Sequence, residues 1–572
     1  MTFTAPTADQ NLALRVNAGI EELASHERFA DASPDLVEAI VEGIGQFAAG
    51  EFAPLNRIGD LEGAKLAEGT VSLPAGYAEA YRAYVEQGWN AISGPVDHGG
   101  QGLPFALAST VIESLGSANM AFTLLPLLTV GAIEAISHHG NQDQKDTYLA
   151  KLISGEWSGT MNLTEPQAGS DVGALRTTAT PAEGGKWHIK GTKIFITWGE
   201  HDLSGNVIHL VLARTPGAPA GTRGISLFVV PKYLVNPDGS PGARNDLRCV
   251  SLEHKLGIMA SPTCVMSFGD NDACIGEMIG AENEGLKAMF TMMNSARVNV
   301  GNQGVQIAER ALQQASAYAR DRVQSARAGS PSKEPVAIIE HPDVRRMLLR
   351  MRALTEGARA LLYYTAGMID RGALGIEGAQ ARADCLVPML KAWGTDVGCE
   401  VSSLGVQIHG GMGFIEETGA AQHYRDARIA PIYEGTNGIQ AADLVTRKLG
   451  YEQGGVLIAL LGEAAAGAAD KAPTLAALAA DCLDVARWMA DGASLDDKLA
   501  GSVPFCTMCA TAVAGWQLLR QAEAADGALA ATKPVVARYF DEHLASEARG
   551  LKAAAMAGSG LLYALDAEAL AG

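Results

Sequence analysis

The spacing of apolar residues divides the chain into helical and β-rich stretches. Residues 1 to about 158 follow a helical pattern. Ser33-Pro34-Asp35 is a favourable helix start, because serine caps the first turn and proline fits its geometry. Apolar residues then recur at helical spacing from Leu36 to Phe47. We therefore predict an N-terminal helical domain over residues 1–158.

The period of the pattern changes between about 159 and 283. Short runs rich in β-branched and aromatic residues, such as Lys193-Ile-Phe-Ile-Thr197 and Ile225–Val230, are broken at close intervals by Gly and Pro. The runs do not alternate with helices, so a parallel Rossmann sheet is not expected. This pattern predicts a compact β domain over residues 159–283.

Helical patterns return after the β-rich stretch. A helical bundle is predicted over residues 284–450, interrupted by a loop from Ser325 to Pro335. Gly450–Gly455 looks like a boundary, and an Ala-rich helical segment follows over residues 451–572. The fold class we predict is mainly α with a central β domain and an additional C-terminal helical domain.

Length, composition and charge narrow the possible functions. The 572 residues exceed what one hydrophobic core holds, and 48% hydrophobic with 19% charged residues describes an ordered protein. The net charge of −20 argues against a nucleic-acid partner. We see no apolar run approaching the roughly 20 residues of a membrane helix, and no signal or transit peptide. We therefore expect a cytoplasmic protein without a membrane span.

The eight cysteines are sparse for this length, and only Cys506 and Cys509 form a CxxC pair. No second CxxC or His pair stands nearby at zinc spacing. We therefore favour two thiols on one helix face over a redox or metal site, and we expect no metal.

Two stretches near the β domain could lie against a planar ring system. In Thr164-Glu-Pro-Gln-Ala-Gly-Ser-Asp171, the hydroxyl groups and Gly169 would allow a loop to lie flat and form hydrogen bonds. An ordinary turn explains the same residues. Phe195 and Thr197 share one face of a predicted strand, where an aromatic residue is more often part of the core.

Two further stretches suit a phosphate-containing ligand. Arg322 and Gln324 lie at a helix end, where a cation and an amide suit a pyrophosphate, although a solvated helix end explains them equally well. Gln407-Ile-His-Gly-Gly-Met-Gly413 combines an amide with glycines that permit close backbone approach. Its His409 is more typical of a structural residue than of a catalytic one.

Glu434 lies in an apolar, Gly-rich turn that precedes a predicted helix. Partial burial would raise the pKa of its carboxyl toward the range of a general base. The alternatives are helix capping or an ion pair with Arg425 or Arg428.

Three of these motifs, Thr164–Asp171, Gln407–Gly413 and Tyr433-Glu-Gly-Thr436, stand in an order and spacing that resemble the acyl-CoA dehydrogenase family. The resemblance covers about residues 30 to 450. It implies an N-terminal helical domain, a middle β-barrel and a C-terminal helical bundle. It also implies FAD between the last two domains and across a subunit interface.

The resemblance further implies roles for individual residues. Contacts to the flavin ring would come from Thr164, Gly169, Ser170, Phe195 and Thr197. The pyrophosphate and adenosine part of the neighbouring subunit's FAD would be held by Arg322, Gln324, Gln407 and Gly411, and Thr436 would also contact FAD. The family often has an aromatic residue where this chain has Ser325, so Ser325 is not counted among the site residues.

Glu434 would then be the catalytic base of α,β-dehydrogenation of an acyl-CoA thioester. Some family members carry the base on an earlier helix, and Ala296 stands at that place here. Arg297 would be a nearby electrostatic or hydrogen-bonding partner. Ser170, Arg297 and Gly435 would also contact the substrate.

The segment after residue 450 resembles a long bacterial subgroup of the family. Members of this subgroup act on 3-(methylthio)propanoyl-CoA or on ordinary fatty acyl-CoAs. Electron-transfer flavoprotein is the electron acceptor that the resemblance implies, and a homodimer is the expected assembly. The alternatives are an acyl-CoA oxidase of the same fold that uses oxygen, and a catalytically silent acyl-CoA-binding or scaffold protein.

Overall fold

The first part of the chain is helical and is built around one long buried helix. In the computed structural model, which describes residues 3–572, Ser33 caps α3 as predicted by accepting a hydrogen bond from Leu36 N at 3.4 Å. A short hairpin interrupts the helices and was not predicted, because each of its strands has only three residues. The elements are α1 (Thr7–Ala13), α2 (Ile20–Ala24), α3 (Pro34–Phe47), α4 (Ala53–Glu62), β1 (Lys65–Ala67), β2 (Thr70–Ser72), α5 (Tyr77–Glu86), α6 (Phe105–His139) and α7 (Gln142–Ser154).

A β domain follows, as predicted. Its main sheet has eight strands in the order β10-β11-β5-β12-β7-β6-β3, with β4 paired to β5, and its ladders are antiparallel apart from the parallel pair β3–β6. In the described part of the chain, no ladder joins the outer strands β10 and β3. The strands are β3 (Trp157–Asn162), β4 (Thr178–Pro181), β5 (Trp187–Thr197), β6 (Asn206–Ala213), β7 (Ser226–Pro231), β8 (Tyr233–Val235), β9 (Pro241–Arg244), β10 (Leu247–Leu252), β11 (Thr263–Phe268) and β12 (Ile275–Ile279).

The helical bundle that follows is packed tightly enough to bring backbones together. A Cβ on Gly304 would stand 1.8 Å from the carbonyl oxygen of Gly394, so only glycine permits α8 and α10 to approach this closely. This contact fixes the two helices that flank the Glu434 turn. The helices are α8 (Gly285–Asp321), α9 (Pro342–Ala373), α10 (Ala379–His409), α11 (Ala420–Ala427) and α12 (Asn437–Thr446).

The C-terminal segment is helical, as predicted, and packs on α9 and α10. Phe540 reaches Gly357 of α9, where a Cβ would stand 2.6 Å from its ring. Both Cys506 and Cys509 are buried on one helix of this segment. The helices are α13 (Gly455–Ala468), α14 (Pro473–Asp491), α15 (Leu495–Ala500), α16 (Ser502–Ala524), α17 (Lys533–Tyr539), α18 (Ser546–Arg549), α19 (Lys552–Ala555) and α20 (Ala567–Ala571).

Within residues 3–572, two helices are long and apolar enough to cross a membrane, so the expectation that no such run exists is wrong on length and composition. They are α6 and α16, and the apolar windows of the two helices are 83% and 72% buried inside the protein. Helix α6 is also kinked at Asn119, whose φ is −158°, and contains Pro126. Core helices of globular proteins pass the same test, so the finding is weak evidence for a membrane span.

The transitions between segments are sharp in the structure. Helix α7 ends at Ser154 and β3 begins at Trp157, whereas α8 begins at Gly285, after the last strand ends at Ile279. A short helical turn over Lys448–Gly454 separates α12 from α13. These bounds lie close to residues 158, 283 and 450, and the division into four domains at those positions is kept as a proposal.

Candidate active site

The turn that carries Glu434 has a strained backbone, which the glycine and the capping residue that follow Glu434 help to hold. Glu434 has a φ of +55°, and Gly435 follows with a φ of +82°. The backbone N–H of Asn437 closes the turn by donating to Pro431 O at 3.0 Å. Thr436 then caps α12, because its hydroxyl accepts from Ile439 N at 3.3 Å. A non-glycine residue at positive φ costs free energy and is typical of functional sites.

Two side chains hold the backbone carbonyl of Glu434. Arg297 on α8 donates from Nε at 3.4 Å, and the buried Gln440 on α12 donates from Nε2 at 3.2 Å. Ala296, next to Arg297, is a small buried side chain and carries no acid. Arg297 is therefore close to Glu434, as predicted, and the contact is a hydrogen bond to the backbone carbonyl of the turn.

Glu434 is half-buried, and the positive charges of Arg297 and Lys391 act on its carboxyl. Burial raises the pKa of that carboxyl above the ordinary value of 4.5, while the two positive charges oppose the rise. Tyr433 lies beside it, with its hydroxyl donating to Gln303. A carboxylate whose pKa is raised is a stronger base than a solvent-exposed glutamate.

Asn437 anchors the turn to helix α10. Its amide Nδ2 donates to Ala392 O at 3.0 Å and to Asp396 Oδ1 at 2.8 Å. Its amide oxygen accepts from Lys391 Nζ at 3.0 Å, and Lys391 is fully buried. The Glu434 turn is therefore fixed to α8, α10 and α12 at once.

A second group of predicted residues lies on a loop after β3. Inside the Thr164–Asp171 motif, Glu165 is buried and accepts hydrogen bonds from Lys193 Nζ at 2.8 Å, from Thr177 Oγ1 at 2.6 Å and from Arg176 N at 2.7 Å. Burial alone would raise the pKa of Glu165, but Lys193 and these hydrogen bonds lower it to about 2. The loop is therefore held rigidly against β5.

The loop and the end of β5 present exposed groups side by side. Thr164 O accepts from Ile194 N at 2.9 Å, which joins the loop to the strand. Phe195 has a φ of +60° and is 58% exposed, which is unusual for a strand aromatic. Thr197 is half-buried, and nothing lies within 4 Å of a Cβ placed on Gly169. Ser170 at the end of this loop is exposed.

A third group lies at the ends of α8 and α10. Tyr318 stacks on the buried His409 with ring centroids 4.4 Å apart, and this contact sets the two helix ends side by side. It brings the segment with Arg322 and Gln324 next to the last turn of α10 with Gln407 and the turn with Gly411, and all four residues are exposed. The Arg322 guanidinium donates to Gln324 Oε1 at 3.1 Å. His409 is thus a packing residue here.

The chain matches four profiles that describe consecutive domains. These are "Acyl-CoA dehydrogenase, N-terminal domain" over residues 35–156, "middle domain" over 160–271, "C-terminal domain" over 283–449, and "Acetyl-CoA dehydrogenase C-terminal like" over 457–566. The chain belongs to the acyl-CoA dehydrogenase family. The resemblance drawn from its motifs is therefore confirmed.

Similar proteins include long members of this family. The chain is 51% identical over 548 residues to 3-methylmercaptopropionyl-CoA dehydrogenase of Ruegeria pomeroyi, covering 93% of this chain and 92% of that protein. It is 34% identical to a broad-specificity linear acyl-CoA dehydrogenase of Mycobacterium tuberculosis, covering 94% and 93%. A Bacillus anthracis acyl-CoA dehydrogenase solved with FAD has the same fold, with a TM-score of 0.74, 22% identity, and coverage of 95% and 91%.

FAD is the cofactor of this family, and the residues described above fit it. The exposed Phe195 and the open position at Gly169 suit one face of a flat ring, and Arg322 with Gln407 suits a pyrophosphate. The protein is an FAD-dependent oxidoreductase that dehydrogenates acyl-CoA. Among residues 3–572, no cluster of three or more His, Cys, Asp or Glu side chains could hold a metal ion.

Several residues of the site were missed by sequence reasoning. Lys391 and Asn437 support the Glu434 turn, and Glu165 and Lys193 support the loop after β3. One signal for Lys391 was available: it is a lone charge in the apolar helical run Leu386–Trp393. No comparable signal marks Asn437, because its role depends on which helix lies beside the turn.

Proposed function

We propose that Glu434 is the base that removes the α-proton of a short acyl-CoA thioester, so that the 2-enoyl-CoA is formed. The observation that carries this proposal is the placement of the carboxyl on a turn fixed at positive φ, where burial raises its pKa and the charges of Arg297 and Lys391 act on it. The Glu434 backbone N–H would polarise the thioester carbonyl as negative charge develops on its oxygen. Bound FAD supplies the acceptor for the β-hydride.

The remaining predicted contacts divide between two surfaces in this proposal. Contacts with the flavin ring come from Thr164, Gly169, Ser170, Phe195 and Thr197, and Thr436 also contacts FAD. The FAD of a second subunit is bound by Arg322, Gln324, Gln407 and Gly411. Ser170, Arg297 and Gly435 also contact the substrate. The rigid Glu165–Lys193 pair behind the loop supports this assignment, because a flat ring requires a loop of fixed shape.

A small acyl group is the substrate that we propose, with 3-(methylthio)propanoyl-CoA as the first candidate. The relative at 51% identity carries that substrate in its name.

Anaerobic reduction of the bound flavin by a panel of acyl-CoAs tests the substrate assignment. We expect 3-(methylthio)propanoyl-CoA and butyryl-CoA to bleach the flavin absorbance faster than octanoyl- or palmitoyl-CoA. Faster bleaching by the long acyl-CoAs would overturn the proposed size limit. Bleaching by none of the panel would overturn the substrate class.

We propose a homodimer as the assembly. Three exposed apolar side chains support it, on the segments that carry Arg322 and Gly411: Phe414 at 87%, Val323 at 53% and Met412 at 49% exposure. Replacing Phe414 with Asp should give a monomer by light scattering and should lower FAD occupancy. A wild-type monomer that binds FAD fully would contradict the dimer.

Electron-transfer flavoprotein is the electron acceptor that we propose, and the cytoplasm is the proposed location. All eight cysteines are free thiols, which suits a reducing compartment. Reduction of electron-transfer flavoprotein without stoichiometric peroxide would support the acceptor. Peroxide formed at one equivalent per enoyl-CoA would instead identify an oxidase. We also propose that α6 and α16 are core helices and not membrane spans.

A further inference from the structure

One buried lysine differs from the others in how its charge is compensated. The buried lysines of the described chain are Lys193, Lys232, Lys391, Lys448 and Lys533. Four of them have a carboxylate oxygen within 3.4 Å of Nζ. Lys391 instead has the neutral amide oxygen of Asn437 at 3.0 Å, and no carboxylate of residues 3–572 forms a salt bridge with it.

Burying an ammonium group without an ion pair is costly, so this arrangement requires compensation from its surroundings. Burial lowers the pKa of Lys391 to about 8, and the negative charges of Glu434 and Asp396 prevent a larger fall. Lys391 therefore remains protonated at neutral pH. Its compensating negative charges are the carboxylates of Glu434 and Asp396, which act on it without a direct salt bridge.

We propose that Lys391 is a positioning residue that keeps Glu434 ionised before proton abstraction. It acts in two ways: it anchors the turn through Asn437, and its positive charge favours the carboxylate form of Glu434. This inference rests on the proposed role of Glu434 as the base. It adds a second source of positive charge to the one that Arg297 provides.

Other charged groups around the turn do not replace Lys391. Arg297 approaches from α8, donates to the Glu434 carbonyl and supplies the larger of the two positive charges that act on the carboxyl, so Lys391 adds to it from α10. Arg447, which follows α12, is paired with Asp443 at 3.2 Å. Asp396 on α10 accepts from Asn437 and adds negative charge beside Lys391. The hydroxyl of Tyr433, the only titratable neighbour in the turn itself among the described residues, is bonded to Gln303.

The test is the pH dependence of kcat/KM for FAD-loaded Lys391→Met and Lys391→Arg. The acid limb of this profile is the rise of kcat/KM with pH as Glu434 loses its proton. Without the positive charge, Glu434 should hold its proton to higher pH, so the acid limb of Lys391→Met should lie about one pH unit higher than in wild type. At pH values below the wild-type limb, this shift lowers kcat/KM about tenfold, and the alkaline plateau should stay within about threefold. Lys391→Arg keeps the charge and should leave the acid limb near the wild-type position.

Lys448→Met is the matched control, because it removes another buried lysine that is paired with Asp384 and lies outside the turn. It should lower the melting temperature without moving the acid limb. A Lys391→Met profile that is reduced equally at all pH values, or that keeps the wild-type acid limb, would overturn the inference.

Two further measurements cover loss of folding and failure of the underlying proposal. If Lys391→Met does not hold FAD, Lys391→Gln, which also lacks the charge, takes its place. Infrared titration of the Glu434 carboxyl in wild type and in the uncharged variant, each corrected by the spectrum of the matching Glu434→Gln protein, then gives the pKa of that carboxyl directly. Equal carboxyl pKa values in the two proteins would overturn the inference. Full activity in Glu434→Gln would overturn the proposal that Glu434 is the base. If Glu434→Gln is inactive but the acid limb of Lys391→Met does not shift, only the role of Lys391 is overturned.

Discussion

Arg297 donates from Nε to the backbone carbonyl of Glu434 at 3.4 Å, and forms no salt bridge with its carboxylate in the described structure. The guanidinium therefore fixes the turn while leaving the carboxyl oxygens available to a substrate proton. Its charge still favours the ionised form of Glu434, although burial has the larger effect on the pKa of that carboxyl.

Replacing Arg297 with Gln should lower kcat by about 10- to 100-fold with a smaller change in KM, because the change loosens the base and not the bulk of CoA binding. Steady-state kinetics on FAD-loaded protein measures this. Arg447→Gln is the control: Arg447 is 60% exposed and paired with Asp443, and its loss should change kcat less than threefold. Equal losses in the two variants would contradict the assignment.

Gly435→Ala should damage the turn, because Gly435 has a φ of +82° and the new Cβ would stand 2.7 Å from Gln440 Nε2. That amide also holds the Glu434 carbonyl. We expect at least a tenfold loss of kcat with FAD retained.

Gly438→Ala is the matched control for this turn. Its Cβ would meet only Thr436 Oγ1 at 3.8 Å, and alanine suits the helix in which it lies. Near-normal kcat in Gly435→Ala would show that the strained turn does not determine the position of the base.

Glu165→Gln should destabilise the loop after β3, because it leaves the buried ammonium of Lys193 without a counter-charge. Breaking such a pair costs about 3–5 kcal/mol. Release of FAD, followed by its fluorescence, should occur at a lower temperature than in wild type. Glu183 is an exposed carboxyl of the same domain, so Glu183→Gln should leave both the unfolding free energy and the temperature of FAD release unchanged.

The stability difference between wild type and Glu165→Gln should also depend on pH. The pKa of Glu165 is lowered from 4.5 to about 2 in the folded protein. Its stabilising contribution is therefore complete above about pH 4.5 and is lost as the pH falls toward about 2. A difference in unfolding free energy that grows on acidification would contradict the role of this carboxylate.

Lys533→Met should loosen the C-terminal segment from the rest of the protein. Lys533 is buried and contacts Asp9 Oδ1 at 2.6 Å and Glu356 Oε2 at 2.8 Å, so it joins α17 to α1 and α9. We expect a loss of about 3–5 kcal/mol in unfolding free energy and faster proteolysis after residue 450. Lys471→Met removes an exposed pair with Glu523 and should cost less than about 1 kcal/mol.

The sequence allowed the helical, β and helical segments to be predicted because the period of apolar residues differs between helix and strand. The start of α3 at Pro34 was also predictable, because its capping residue Ser33 stands directly before it in the sequence. The hairpin β1–β2 was not, since two strands of three residues produce no period. The length of α6 as one apolar helix was underestimated, because Asn119 and Pro126 interrupt an otherwise apolar run.

The candidate site was predictable only in part. Glu434, Phe195 and Arg322 stand in short stretches that are contiguous in sequence, so each was available as a candidate. The comparisons confirm the family, and the roles of these residues stay predictions. Lys391 is 43 residues from Glu434 and Lys193 is 28 from Glu165, so their contacts depend on how helices and strands pack. No local period encodes such a contact.

The most direct test of the account is single-turnover reduction of bound flavin by 3-(methylthio)propanoyl-CoA without oxygen, compared between wild type and Glu434→Gln. Both proteins should carry FAD, and the variant should bleach at least about 10²–10⁴-fold more slowly, the range typical of losing a general base. Bleaching at a near wild-type rate in Glu434→Gln would contradict the central claim that this carboxyl removes the proton.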